Sequence, residues 1–573
     1  MSVLTLSRAA IAGLMIGAMA PRIAPAETSA GAYLAARVAL FNSDFAQAAS
    51  YYTQALARDP GNATLMERVV TAQLAMGHVA EALPVARRME ELGLVSQMAN
   101  MVIIADKIGQ GDYEALLSRA TEDQGVSPLV DGLMLGWAYM GTGSVAKALE
   151  QFDKLAQDDG LRGFAMYHKA LALASVGDFE GAEAIFSDTS GGTAILSRRA
   201  ALAYAEVLSQ LERDGDAADM LRDAFGPGAD PAVTALIQRL DAGETLPFTH
   251  VRSARDGMAE IFFSIAVVLN GETASEYALI YARMASYLRP DHIDAMLLGA
   301  ELLDEAGQND LAVAAYKQVP KDSPDFHAAE LGRAEALRRA GKPDAAIEVL
   351  EQLALAYPDQ ASVQSALGGL FREQEDYASA AKAYDRAIDL TPETGRNLWF
   401  LLYARGISHE RLGNWPEAEA DFRTALDLNP EQPQVLNYLG YSMVEKQENL
   451  DEALDMIRRA VAARPDSGYI VDSLGWVLYR LGRYKEAVGN METAVELMPV
   501  DAVVNDHLGD VYWAVGRKLE AEFQWRRALS FIDPSDPDSE ADPDRIRRKL
   551  DVGLDQVLSE EGAPPIKFAN DEG

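Results

Sequence analysis

Apolar residues recur at i, i+3, i+4 and i+7 along most of the chain, in runs of about a dozen residues broken by short polar turns. That period predicts amphipathic helices, and their regular spacing predicts that they come in pairs. Prolines at the pair boundaries set a ruler. Pro290, Pro324, Pro358 and Pro392 stand 34 residues apart, and Pro430, Pro465, Pro499 and Pro534 follow after 38, 35, 34 and 35. Within four successive units a glycine falls mid-helix, at Gly406, Gly440, Gly475 and Gly509. An alanine follows at Ala418, Ala453, Ala487 and Ala521, then a large residue at Phe422, Ile457, Met491 and Trp525, then Ala425, Ala460, Ala494 and Ala528. Small residues let the first helix of a pair approach the second, and the large one fills the groove beside them. A second glycine marks the turn within the pair, at Gly341, Gly413, Gly482 and Gly516, where a left-handed residue ends a helix without a Cβ clash.

The first half carries the pattern less regularly. Tyr33 to Pro60 is a full unit, with Ala36, Ala48, Tyr52 and Ala55 in place. Further units show Gly136, Tyr139, Ala148 and Phe152, then Ala170, Ala182 and Phe186, while Leu65 to Leu117 carries only a faint signature. No run of alternating β-branched residues sits between turn clusters, so the chain is expected to be all-α.

The pattern divides the chain. Residues 29–225 form a first, degenerate array, 226–254 a junction around one irregular helix, and 255–532 a second, regular array. An acidic loop spans 533–544, an amphipathic helix over 545–559 is placed to cap the array, and a tail covers 560–573. Residues 1–26 read as a cleavable secretory signal, with Arg8 before the apolar run Ala9 to Ala20 and an A-x-A site at Ala24 to Ala26. The run is short for a bilayer span, so cleavage would leave no stable membrane insertion and a periplasmic product.

Charge changes the picture by exclusion. The 87 acidic and 51 basic residues leave a net charge of −36, which repels phosphate backbones and argues against nucleic-acid binding. There is no cysteine, so disulfides, thiol catalysis, Cys-ligated zinc and a lipid-anchored N-terminal Cys are all excluded. Short catalytic look-alikes do not assemble. Gly141 to Ala146 has dinucleotide-loop spacing but follows a helix, and Ser144 to Lys147 and Ser379 to Lys382 lack any Lys-Thr-Gly partner. His409-Glu410 lacks a second His, and the acids Asp536 to Asp544 lack the Gly and final Glu of a calcium loop. No catalytic residue, metal or cofactor is expected.

The period and order of residues resemble the tetratricopeptide repeat (TPR), a helix-turn-helix unit that stacks into a solenoid. The resemblance implies a TPR superhelical solenoid of about a dozen repeats that holds other proteins. Leu436 to Val488 and Asp506 to Leu529, above all Leu474-Gly475-Trp476, are similar to a group of exported proteobacterial TPR proteins. One member is a lipoprotein adaptor for a periplasmic carboxyl-terminal processing protease. From that follows the expectation of a non-catalytic scaffold or adaptor that presents substrates to such a protease, with a structural role in a polysaccharide-export or cell-wall assembly as the alternative. This chain lacks the adaptor's lipobox Cys. In a TPR superhelix the first helix of each pair lines the concave groove. Repeat phase then places Tyr403, Arg411, Asn437, Tyr441, Tyr469, Asp472, Trp476, Tyr479, Arg480 and Trp513 there as the partner-binding set, with Ile407, Asp506 and Asp510 beside them. Aromatic area with Arg and Asn among it suits capture of a protein or peptide.

Overall fold

The 34-residue ruler becomes helix pairs in a computed structural model, which describes residues 29–119, 123–188, 197–226, 230–271, 275–392, 395–532 and 541–566. Among these there are 31 helices and no strand. The expected signal at 1–26, most of the acidic loop (533–540) and the end of the tail (567–573) lie outside the described residues. None of the described helices is long and apolar enough to cross a membrane.

Packing within a pair follows the sequence pattern. A Cβ on Gly406 would lie 2.6 Å from the Phe422 ring, and one on Gly440 would lie 2.8 Å from Ile457, both inside any normal contact distance. Gly136, Gly475 and Gly509 press as closely on Phe152, Met491 and Trp525. The alanines of the pattern are fully buried. Gly413 and Gly482 take φ of 79° and 73° at the turn within their pairs, as the left-handed reading requires. In the pair Pro433–Glu445 and Leu450–Ala463, where no glycine is available, Gln447 and Asn449 adopt positive φ instead. Gly475→Leu is expected to destabilise the C-terminal unit by about 1–3 kcal/mol, because Met491 can swing away but its backbone nitrogen, 3.3 Å from the added Cβ, cannot. An unchanged denaturation midpoint would show that the two helices cross elsewhere.

The chain forms two units, residues 1–342 and 343–573, so the division falls at Lys342 rather than at the expected junction 226–254. The expected junction does contain one unpaired helix, Pro231–Asp241. It does not separate the chain into two bodies, because the next pair, Ala254–Asn270 and Ser275–Leu288, turns back onto the preceding array. This pair contacts Ala63–Ala75, Gln97–Gln110, Pro128–Gly141 and Arg162–Ser175, each the first helix of its own pair. Gly257 makes the approach possible, since any Cβ there would run into the Trp137 indole.

Polar contacts lock the returned pair in place. The buried Glu260 carboxylate accepts from Arg199 Nε (2.7 Å) and from the Tyr167 hydroxyl (2.9 Å). Arg199 also pairs with Asp294 at 2.6 Å, and His292 Nε2 lies 3.3 Å from Glu260, in contact but too poorly aligned for a hydrogen bond. Arg198 reaches Asp230, Asp294 and Asp325. Trp137 Nε1 donates to the buried His168 Nδ1 at 3.0 Å. In this unit the inner side of the array is therefore filled by the chain's own helices.

The second unit starts with Pro343–Ala356, continues with five pairs from Ala361 to Phe531, and ends with two short helices. Leu402 to Ile566 share one apolar core. The expected capping helix over 545–559 is two helices, Pro543–Val552 and Leu554–Glu560. The break is at Gly553, whose φ of 83° leaves the right-handed helical region and whose missing Cβ leaves room for the Trp513 ring.

Candidate partner-binding site

Curvature decides which helices of the second unit line its inner side. Successive first helices touch, Pro433–Glu445 with Gly468–Arg480 and Gly468–Arg480 with Ala502–Ala514, whereas successive second helices meet more slightly. The first helices are thus on the tighter, inner side. The residue three before each mid-helix glycine and the residue just after it form an inner row: Tyr403 and Ile407, Asn437 and Tyr441, Asp472 and Trp476, Asp506 and Asp510.

The structure treats the ten predicted residues unequally. Tyr469 (58% exposed), Arg411 and Arg480 are open to solvent, with Arg480 paired to Glu445 at 3.1 Å. Tyr403 and Tyr441 are half-buried. Tyr403 packs edgewise on Tyr438, and burial pushes its hydroxyl up to about 12. Trp476 is half-buried and lies flat between His507 (3.9 Å between ring centres) and Tyr479 (4.9 Å).

The other four do not line an accessible groove. Tyr479 is buried beneath Trp476 and Tyr484. Asp472 is buried against His507, with Nδ1 3.1 Å from its carboxylate. Burial lowers the His507 value, but Asp472 outweighs it and leaves His507 easier to protonate than a free imidazole. Trp513 is buried under the C-terminal segment, its Nε1 donating to Asp555 at 3.0 Å. Asn437 is 1% exposed, and neither of its amide atoms has a hydrogen-bond partner. A buried primary amide left unpaired costs folding free energy, so Asn437 weakens the packing of its repeat and offers no contact surface.

Sequence reading missed Lys549. Its ammonium is wholly buried, 2.8 Å from Asp506 and 2.6 Å from Asp510. No local signal marks it, because it lies in a strongly charged stretch and meets its acids only through the fold. Elsewhere a cleft of about 520 Å³ lies in the first unit and is lined by Thr64, Glu67, Arg68, Val95, Glu276 and Tyr277 among others. Among the described residues no group of His, Cys, Asp or Glu is arranged to hold a metal ion.

Tetratricopeptide repeat models match residues 133–190, 297–350, 331–393 and 403–468, and a second such model matches 39–91. A TPR repeat-containing protein of Pseudomonas aeruginosa is 31% identical over 96 residues, which cover 17% of this chain and 16% of that relative. Among solved structures, the APC/C hetero-tetramer Cut9-Hcn1 is 15% identical with a TM-score of 0.38, covering 92% of this chain and 97% of that one. A tetratricopeptide repeat protein from Parabacteroides merdae, also 15% identical, has a TM-score of 0.34 and covers 51% of this chain and 97% of that one. The paired helices, their glycine crossings and the matched repeats together make the chain an all-α solenoid that resembles tetratricopeptide repeats over the matched residues.

Proposed function

We propose that this chain is a non-catalytic scaffold of the cell envelope that holds a polypeptide partner along the inner row of its C-terminal unit, between Tyr403 and Arg480. One observation carries the reading. The inner side of the first array is filled by Ala254–Leu288 and that of the last repeat by the C-terminal segment, whereas the stretch between presents Arg411, Tyr441, Tyr469 and Arg480. Aromatic area with guanidinium groups among it suits side chains and main chain of a bound segment. The N-terminal apolar run supports export to the periplasm. The C-terminal resemblance supports a carboxyl-terminal processing protease, with its substrates, as the partner to try first.

The test uses exposed residues, because Trp476 and Tyr479 are packed and their loss would disturb the fold. Tyr469→Ala combined with Arg411→Ala is expected to weaken capture of a purified processing protease at least about tenfold, as for loss of hot-spot contacts, with the helical circular dichroism signal unchanged. Binding equal to wild type would refute the assigned row. Absence of any binding by the wild-type chain would remove the protease as partner.

A further inference from the structure

We propose that the segment from Ala541 to Ile566 is an internal stand-in for a partner, holding the inner face of the last repeat until a lysine-bearing helix of another protein displaces it. The proposal rests on the scaffold reading above and names the partner chemistry for one end of the row.

The positions are equivalent along the row. Asp506 and Asp510 flank Gly509 as Asn437 and Tyr441 flank Gly440, so they are inner-row groups of the last pair. A group of this same chain is already bound there. Lys549 Nζ donates to both Asp506 oxygens at 2.9 and 2.8 Å and to Asp510 Oδ1 at 2.6 Å. Trp525 Nε1 also donates to Asp510 Oδ1, at 2.9 Å, and fixes that carboxylate from the far side. Four residues before the lysine, Arg545 lies 3.7 Å from Asp510 Oδ2. Beyond the Gly553 break, Asp555 accepts from Trp513 Nε1. The row thus reads a basic residue, a lysine one turn later and an acid farther on.

Charge fixes the class of occupant. Two carboxylates face one ammonium, and Asp472 next along the row faces His507. Two acids buried without a cation are costly, so the site takes either a cation or water. A neutral or acidic segment cannot replace Lys549. The segment joins the core through few apolar side chains. Ala541, Ile546, Leu554, Val557 and Ile566 are buried, Leu550 and Leu558 half-buried, and its outward side is given to the exposed pairs Arg547–Asp544 and Arg548–Glu560. A tethered occupant of modest intrinsic affinity still fills its site, because tethering raises its local concentration to the order of millimolar. A partner helix with a lysine in the same place then competes for the same two carboxylates, and exchange exposes Asp506, Asp510 and Trp513 to it.

The experiment compares the full chain with its Arg545→Gln, Lys549→Gln variant, by hydrogen exchange and by binding of a labelled synthetic peptide of residues 541–566. Amides of 543–560 are expected to exchange at least about tenfold faster in the variant, while 502–531 stay protected. The peptide is expected to bind the variant at least about tenfold more tightly than it binds wild type, whose site is filled, and the same peptide with Lys549→Gln is expected not to bind. Loss of protection over 502–531 together with 543–560 would mean a fixed cap and overturn the proposal. So would peptide binding that is absent from the opened variant or indifferent to the lysine. The Asp506→Asn, Asp510→Asn chain is a second check: it should release the segment yet take up no peptide, and undiminished uptake would rule out recognition by the acids. If these arms fail while the Tyr469 and Arg411 variant still loses its partner, the scaffold reading stands and the stand-in falls.

Discussion

Replacing Glu260 by glutamine is expected to destabilise the N-terminal unit by about 3–5 kcal/mol, the range for breaking a buried ion pair by removing one partner. Glu260 is completely buried and joins three segments: Arg199 from the first array, Tyr167 from the repeat before it, and His292 from the repeat after the returned pair. Arg199 outweighs the burial penalty and keeps the carboxyl well below the usual carboxylate range, so it is ionised at neutral pH. Glutamine has nearly the same shape but leaves the buried Arg199 with Asp294 as its carboxylate partner. The helix pair Ala254–Leu288 should then lose hydrogen-exchange protection first, before the repeats around Tyr52, which share no group with Glu260. Simultaneous loss across the unit, or no loss at all, would show that the apolar face of the returned pair, not Glu260, holds it.

Acid should reach the same region by another route. Burial holds His168 at about 4, against an ordinary 6.5, with Glu260 opposing the shift. The neutral ring accepts from Trp137 Nε1, and a protonated Nδ1 could not. A histidine whose folded value is depressed contributes stability above the unfolded value and loses it as pH falls, because the unfolded chain takes up the proton first. Between pH 6.5 and about 4 the loss amounts to about 3 kcal/mol for His168 alone. His292, lowered by burial and by Arg199, adds to it in the same direction. Fluorine NMR of fluorotryptophan-labelled protein can follow the Trp137 resonance through this window. His168→Asn keeps an acceptor but does not titrate, and should flatten the stability profile above pH 4. An equally steep profile in that variant would assign the acid sensitivity to His292 and the carboxylates. The two predictions are linked, since removing the Glu260 charge withdraws the group that favours protonation of His168, which should move that ring's titration lower and deepen the stability lost to acid.

How far the site could be read from sequence differs residue by residue. Gly475 and Met491 were legible as a packed pair because both lie within one repeat, sixteen residues apart, and their contact follows from helix geometry. Arg411, Tyr469 and Arg480 were legible as solvent-facing for the same reason. Tyr479 and Trp513 occupy correct repeat positions, yet both are buried, Tyr479 against Trp476 and Tyr484 of its own pair and Trp513 by a segment outside its repeat. Trp513 is covered by Asp555 and Gly553, about forty residues later, and repeat phase has no access to such distances. The junction expected at 226–254 rests on a true local observation, a lone helix between loops. Whether that break separates two bodies depended on Gly257 meeting Trp137 across more than a hundred residues.

Periodicity alone was enough to dictate paired helices, the glycine crossings inside each pair and the left-handed turn residues, since all of these are settled by neighbours within one 34-residue unit. It could not say which stretches of inner wall stay open. That was decided by two segments folding back onto the array, Ala254–Leu288 and Ala541–Ile566, each held by buried ion pairs between residues far apart in the chain. Solenoid stacking is a nearest-neighbour property and so is written locally. Filling the hollow of a solenoid is a long-range choice, made by the burial of apolar surface and the pairing of charges that meet only after the repeats have stacked.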